Sequence, residues 1–216
     1  MSIYRTAIAA MAAGVLLLVL SAGSLSPADG QRSAAADVPA FPSLKGRLLV
    51  AAPGMPDPRF AETVIIMVQH DADGALGLIV NRPIGAEPAG RLLRRLAGLD
   101  PGNEGGPVVR IHFGGPVEPL QGFFLHTPDY RLNDTVAVTD QVSVTSDLGI
   151  LRDLAVGKGP ERGFLALGYA GWSPGQLENE LRRKDWVTVE SDKALVFDND
   201  MASRWQRAMD KRGVDL

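Results

Sequence analysis

Short apolar runs separated by turn residues mark the middle of the chain. Residues 64–69 (VIIMVQ) are apolar and rich in β-branched side chains, and residues 75–81 (ALGLIVN) form a second run after an Asp/Gly-rich segment. Two such runs joined by a short turn segment are typical of a β-hairpin. Gly77, inside the second run, indicates a bulge or a close approach of another backbone. The pattern therefore predicts a hairpin over residues 64–81.

Other apolar runs predict the remaining strands. They lie at residues 48–52, 108–113, 122–126, 163–168 and 186–189, and a segment that alternates valine with polar residues lies at 135–144. Strict alternation is typical of a half-buried strand or hairpin. We expect the runs at 108–113 and 122–126 to pair with each other across the Gly-Gly-Pro-Val segment between them.

Helical spacing of apolar residues predicts four helices. Leu92, Leu93 and Leu96 mark a helix at 89–99, and a stripe of Met201, Trp205 and Met209 marks one at 199–211. A third is expected at 147–156, with Thr145 or Ser146 as its cap and Gly157 at its end.

The fourth helix has the clearest start signal. Ser173 is placed as the N-cap, Pro174 as the first helical residue and Gln176 as the partner that completes a capping box. We expect this helix to run to about Lys184, with Leu177 and Leu181 facing inward.

The order of elements predicts an α/β (α+β) fold: a single compact domain with a mixed β-sheet, hairpins, and helices packed on the sheet. Regular alternation of strand and helix would instead predict an all-parallel sheet.

The N-terminal segment differs from the rest of the chain. Residues 6–28 carry no charge, residues 7–20 are almost purely apolar, and Arg5 precedes them. This is the pattern of a secretory signal peptide, and the stretch up to residue 25 approaches the length of a membrane-spanning helix. We divide the chain into an apolar leader (1–28), a linker (29–43) and a domain (44–216). The leader predicts either inner-membrane attachment through residues 6–25 or export to the periplasm.

Composition narrows the function classes. The 216 residues carry a formal net charge of −3 and contain no cysteine. The small basic clusters at Arg91, Arg94, Arg95 and at Arg182, Arg183, Lys184 lie beside leucines at helical spacing, which is typical of solvated helix faces. Because the chain as a whole is acidic, direct nucleic-acid binding is not expected. The absence of cysteine excludes thiolate nucleophiles, zinc–thiolate sites and iron–sulfur clusters.

Catalytic motifs are weak. The three histidines, His70, His112 and His126, have no metal-ligand spacing, and Asp71 and Asp73 beside the first of them fit an ordinary turn. Residues 171–175 (GWSPG) match the Gly-x-Ser-x-Gly pattern of a nucleophile elbow. However, Pro174 lacks the N–H that would build the oxyanion hole, and no histidine follows the serine. We therefore predict no catalytic residues, no metal and no cofactor.

A binding site has more support. Asn81 and Arg82 end a buried strand, where ligand crevices form in α/β sheets. Arg82 could pair with a small anionic ligand or with an internal acid such as Glu178. Residues 168–172 lead into a helix start, which favours anions. The candidate binding residues are His70, Asn81, Arg82, Tyr169, Trp172 and Glu178.

Several segments together resemble the AlgH/YqgE family. They are residues 46–51 (GRLLVA), 55–60 (MPDPRF), 74–83 (GALGLIVNRP), 114–117 (GGPV), 122–126 (GFFLH), 167–172 (LGYAGW) and 175–178 (GQLE). The resemblance implies a compact α/β fold and, from the name of one branch, a regulatory role in exopolysaccharide (alginate) production. It also implies a start near residue 46 and a cytosolic setting, to which the apolar leader is an addition.

Two functions follow as hypotheses. The first is a non-enzymatic regulatory or interaction protein of the AlgH/YqgE type, with an unknown protein partner. The second is a small-molecule or anion-binding enzyme that uses a site near Arg82 and the loop at residues 168–172.

Overall fold

The predicted hairpin is present, and its strands lie in the middle of a long, mainly antiparallel sheet. The computed structural model describes residues 41–98 and 104–212. The strands in these ranges are β1 (Arg47–Ala51), β2 (Val64–Asp71), β3 (Gly74–Ile79), β4 (Pro83–Pro88), β5 (Val108–Phe113), β6 (Val117–His126), β7 (Val136–Ala137), β8 (Ser143–Thr145), β9 (Gly163–Trp172) and β10 (Trp186–Glu190). The helices are α1 (Ala89–Ala97), α2 (Gly149–Ala155), α3 (Gln176–Arg182), α4 (Lys193–Phe197) and α5 (Arg204–Asp210).

The sheet follows the order β10-β1-β2-β3-β9-β6-β8-β7, and the antiparallel pair of β4 and β5, whose strands are separated in the chain by α1, joins it at β9. The pairing of β5 with β9 is parallel, while the other pairs are antiparallel. The register of the β2–β3 hairpin shifts between Met67 and Gln69, and Met67 stands opposite Gly77. A Cβ on Gly77 would lie 2.5 Å from Cγ2 of Ile65. The predicted bulge is therefore present in the hairpin, but it lies in β2 opposite Gly77, and the tightest contact at the glycine is with a side chain, the carbonyl oxygen of Ile66 lying 3.2 Å from the added Cβ.

Strands β5 and β6 do not pair with each other, so that prediction was wrong. Both bond to the long strand β9: β5 at residues 165–167 and β6 along residues 163–169. Strand β9 therefore lies between them, and its backbone hydrogen-bonds to β5 on one edge and to β6 on the other. Strand β4 was also missed, since prolines at both its ends hide a strand from a pattern search.

Side chains of the central strands alternate between two buried layers. In β2, Val64, Ile66 and Val68 lie in one apolar cluster, while Ile65 and Met67 lie in another. Successive strand residues point to opposite faces, so a strand covered on both faces is apolar throughout. Helices α4 and α5 contribute to the first cluster, and Leu177 of α3 is buried in the second. A third cluster joins α1 and α2 to β5. The architecture is the predicted mixed α+β domain.

Helix α3 starts later than expected. Gly175, with φ 74°, is its N-cap, and no side chain caps it. The prediction that Ser173 is the cap was therefore wrong. The prediction that Gln176 reaches back to Ser173 was right, because the backbone N–H of Ser173 donates to Oε1 of Gln176 at 3.1 Å. Helix α4 was missed because five residues are too few for a clear helical period.

No helix within residues 41–98 and 104–212 is long and apolar enough to cross a membrane. The expectation of a transmembrane helix and a signal peptide is corrected accordingly: the described chain gives it no support. Residues 1–28, on which that expectation falls, lie outside the described residues.

Candidate functional site

A pocket of about 320 Å³ opens between helix α3, strands β9 and β10, and the loop that joins β1 to β2. We call it the tryptophan pocket. Its lining residues are Met55, Pro56, Asp57, Arg59, Phe60, Pro116, Val117, Gly171, Trp172, Gln176, Glu180, Arg183, Asp185 and Trp186.

Two indoles that share one carboxylate oxygen stand at the inner side of the pocket. The Nε1–H groups of Trp172 and Trp186 each donate to Oε2 of Glu180 at 2.8 Å. Nε2 of Gln176 donates to the other oxygen, Oε1, at 2.9 Å. The two indoles, 3% and 5% exposed, meet edge to face at 6.1 Å between ring centroids. The carboxylate therefore holds both rings in place.

The β1–β2 loop forms an adjoining wall. Phe60 packs edge to face against Trp186, with 5.8 Å between centroids. Two residues just after strand β3, Asn81 and Arg82, hydrogen-bond to the backbone of this loop. Asn81 donates from Nδ2 to the carbonyl of Glu62 at 2.8 Å, and Arg82 donates from NH2 to the carbonyl of Ala61 at 2.6 Å. Asn81 and Arg82 thus position a wall of the pocket from outside it.

Two ion pairs line the rim. Arg59 donates to both oxygens of Asp57, which holds the pKa of Asp57 below its usual value. Arg183 donates from Nε and NH2 to Oδ2 of Asp185. Each arginine is therefore paired with an aspartate two positions away in the chain.

Of the six candidate residues, only Trp172 lines the pocket. His70 and Glu178 contact each other: Nε2 of the imidazole lies 2.9 Å from Oε1 of the carboxylate. The sequence had suggested Glu178 as a partner of Arg82. Instead Glu178 contacts His70, and Arg82 bonds to the carbonyl of Ala61. Tyr169 is buried in the core, where it packs edge to face against Phe123. Burial, together with Glu118, raises the pKa of Tyr169.

The serine of the elbow-like motif has no base beside it. The Ser173 side chain is exposed, and its hydroxyl makes no hydrogen bond to any described residue. Both ring nitrogens of His70 are occupied, Nδ1 by the backbone N–H of Leu44 at 3.0 Å and Nε2 by Glu178. His112 and His126 are fully buried. The arrangement therefore lacks the nucleophile–base contact that acyl transfer requires.

Within the described ranges, no group of three or more His, Asp or Glu side chains is placed to hold a metal ion. Asp71, next to His70, accepts from the backbone N–H of Asp73 at 2.9 Å. This hydrogen bond confirms that the Asp-rich segment is a turn.

Sequence reasoning missed Glu180, Trp186 and Phe60. Gln176 and Glu180 are four positions apart on one helix, a spacing at which side chains meet. The indole partners of Glu180 come from two strands that are not neighbours in the sheet, and no sequence period reports that.

Comparison with known proteins agrees with the fold and the motifs. The AlgH-like family (DUF179) matches residues 48–216. A UPF0301 protein of Afipia carboxidovorans is 45% identical over 179 residues, covering 80% of this chain and 85% of that protein. A UPF0301 protein of Jannaschia sp. is 44% identical over 174 residues, covering 80% and 90%.

Two solved structures have the same fold. The solution structure of the AlgH protein from Pseudomonas aeruginosa has a TM-score of 0.66 and 36% identity, covering 80% of this chain and 90% of its own. A Corynebacterium diphtheriae protein, DIP2367, has a TM-score of 0.63 and 19% identity, covering 82% and 90%, and supports the fold alone. The family match over most of the domain and the 45% identity lead to one conclusion: the chain belongs to the AlgH-like (UPF0301) family.

Proposed function

We propose that this protein is a non-enzymatic interaction protein of the AlgH/YqgE type, and that the tryptophan pocket is where it binds a side chain of a partner protein. The observation that carries the proposal is the shared carboxylate: both indoles donate to Oε2 of Glu180, so the aromatic wall is held rigidly before any partner arrives. A preformed pocket lowers the entropy that binding costs.

The chemistry of the walls favours recognition over catalysis. Tryptophan is the residue most typical of interface hot spots, which sit in well-packed pockets with a polar rim. The rim here consists of the two Arg–Asp pairs. Among the described lining residues, none is a serine, threonine, lysine or histidine.

The alternative of an anion-binding enzyme near Arg82 receives less support. The guanidinium group of Arg82 donates to a backbone carbonyl, and Arg82 does not line the pocket. Gly168 approaches Gly115 and Val117 so closely that an added Cβ would lie 2.3 Å and 2.9 Å from their carbonyl oxygens. These observations favour structural roles for the arginine and for the start of that loop.

The three tryptophans make a direct test possible by NMR. Trp172 and Trp186 line the pocket, whereas the Nε1–H of Trp205 donates to the carbonyl of Ala51 and serves as an internal control. The full chain, labelled with ¹⁵N, is titrated with a panel of N-acetyl amino-acid methylamides, one for each side chain. We expect at least one compound to shift the two pocket indole signals while that of Trp205 stays unchanged, and to be recovered intact after long incubation.

The proposal is overturned if no compound shifts the pocket indoles at millimolar concentration. It is also overturned if a compound that binds there is chemically converted, because the protein would then be an enzyme.

A further inference from the structure

We infer that the tryptophan pocket is built for the side chain of a lysine on the partner protein: an ammonium group carried on an apolar stem. The inference rests on the proposed function and adds to it the chemical class of the bound group. Three properties of the pocket support it, namely its charge, the remaining hydrogen-bonding capacity of Glu180, and the shape and polarity of its walls.

The charge of the pocket is set by Glu180. Three carboxylates and two guanidinium groups line it, and each guanidinium is bonded to its own aspartate. Glu180 is different, because its donors are two indole N–H groups and a side-chain amide, all of them neutral. The negative charge of Glu180 is therefore not compensated by the groups that bind it. A cation entering the pocket meets a complementary field, whereas an anion is repelled.

The hydrogen-bonding capacity of Glu180 selects between the two cationic side chains. A carboxylate offers about four acceptor positions on its two oxygens. Donors from the described part of the chain take three: two on Oε2 by the indoles, and one on Oε1 by Gln176. The remaining position suits a point charge such as an ammonium group. A guanidinium group bonds best to both oxygens at once, which the two indoles prevent.

The aromatic wall disfavours a second guanidinium as well. Arg59 already lies over the ring of Phe60, with its Cζ 5.9 Å from the ring centroid. Met55, Pro56 and Val117 supply apolar surface for a methylene chain. Lysine buries its stem against such surface while its charged end keeps a polar partner. The volume, about 320 Å³, is at the lower end of the range of roughly 300–1,000 Å³ for ligand pockets, which favours one side chain over a cofactor.

The test compares three probes of similar length on the full chain: the N-acetyl methylamides of lysine, norleucine and arginine. Norleucine has the lysine carbon chain without the ammonium group. Dissociation constants come from the shifts of the Trp172 and Trp186 indole signals, with Trp205 as the unchanged reference. We expect lysine to bind about tenfold more tightly than norleucine and more tightly than arginine.

A substitution isolates the charge. Glu180→Gln keeps the shape of the side chain and an oxygen for the indoles, and it should abolish the preference for lysine over norleucine. The matched control is Glu161→Gln, which removes the same charge from an exposed residue that does not line the pocket. The control should keep the preference of the unmodified protein. Retained dispersion of the indole signals verifies that each variant is folded.

The outcomes separate the two proposals. If norleucine or arginine binds as tightly as lysine in the unmodified protein, or if the preference survives in Glu180→Gln, the lysine inference is wrong while the pocket remains a binding site. If none of the compounds in the amino-acid panel shifts the indoles, the proposed function fails together with the inference.

Discussion

His70, which is buried, contacts the partly exposed Glu178, 108 positions away in the chain: ring atom Nε2 lies 2.9 Å from carboxylate Oε1. The other ring atom, Nδ1, accepts from the backbone N–H of Leu44 at 3.0 Å. An acceptor nitrogen carries no proton, so the ring is the neutral tautomer that donates from Nε2. His70, near the turn of the β2–β3 hairpin, thus links this hairpin to the segment before β1 and to helix α3.

Replacing His70 should therefore destabilise the domain from two sides. His70→Ala leaves the N–H of Leu44 and the carboxylate of Glu178 without their buried partner, at a cost of about 2–4 kcal/mol in the free energy of unfolding. Urea denaturation measures the loss, and hydrogen exchange should show the amide of Leu44 unprotected. Gln69→Ala is the control, since within residues 41–98 and 104–212 its side chain bonds only to the exposed Asp71. An unchanged midpoint with Leu44 still protected would refute the interpretation.

Arg204 and Arg207 both pair with Asp198 but differ in burial, which makes them a matched comparison. Arg204 is fully buried and donates to the carbonyl of Val80 as well as to Asp198. Burial opposes ionisation of Asp198, but the hydrogen bonds from Arg207 and Arg204 outweigh it and lower the pKa of that carboxyl.

Arg204→Met should cost about 3–5 kcal/mol, because the buried guanidinium is lost and the Val80 carbonyl, the Asp198 carbonyl and one carboxylate oxygen of Asp198 lose a donor. Arg207→Met should cost about 1 kcal/mol or less, since its side chain is 35% exposed and solvent screens the pair. Thermal and urea unfolding of the two variants give the comparison. Equal losses would show that burial does not set the energy of these pairs.

Arg82 should act on the loop that forms one wall of the tryptophan pocket. Arg82→Ala removes its hydrogen bond to the carbonyl of Ala61, so we expect a loss of about 1 kcal/mol and faster hydrogen exchange over residues 55–62. The exposed Arg91 of helix α1 provides the control, Arg91→Ala. If exchange in the loop is unaffected, Arg82 does not position that wall.

His112 should make stability depend on pH. Burial, with the nearby charges of Arg110 and Arg204, lowers the pKa of His112 to about 3, whereas in the unfolded chain the pKa is about 6.5. Between these values the unfolded chain binds a proton that the folded protein does not. Stability is therefore fully present above about pH 6.5 and falls as the pH decreases.

His112→Phe tests this, because phenylalanine keeps the stacking on Phe164, whose ring centroid lies 4.2 Å away. The imidazole nitrogens have no hydrogen-bond partner among the described residues, so the substitution costs little there. Between pH 6 and 4.5 the stability of the variant should fall less steeply than that of the unmodified protein, by about 1 kcal/mol per pH unit. Parallel curves would exclude His112 as the titrating group.

Substitutions at Ser173 and Gln176 test whether helix α3 is capped by the serine side chain or starts as observed at Gly175. Ser173→Ala should change the free energy of unfolding by less than about 0.5 kcal/mol, whereas loss of a serine N-cap costs about 1 kcal/mol. Gln176→Ala should cost about 1 kcal/mol, because it loses its bonds to the backbone of Ser173 and to Glu180. A larger effect of Ser173→Ala would restore the serine as the cap.

Local patterns were sufficient for most of the secondary structure. The run at residues 64–69 predicted β2, and the leucines of the 89–99 segment predicted α1. Both predictions succeeded because the spacing of apolar residues over a short window reports the secondary structure and its buried face. Short or atypical elements were missed. Strand β4 begins and ends with proline, and helix α4 has five residues.

The sequence by itself determined the family, the mixed α+β class and the apolar faces that build the core. Only the tertiary structure decided which side chains meet: Glu178 with His70 rather than with Arg82, β9 between β5 and β6, and two distant indoles on Glu180. The physical reason is range. Strand and helix periods depend on residues a few positions apart, whereas these contacts join residues far apart in the chain that the path of the sheet brings together.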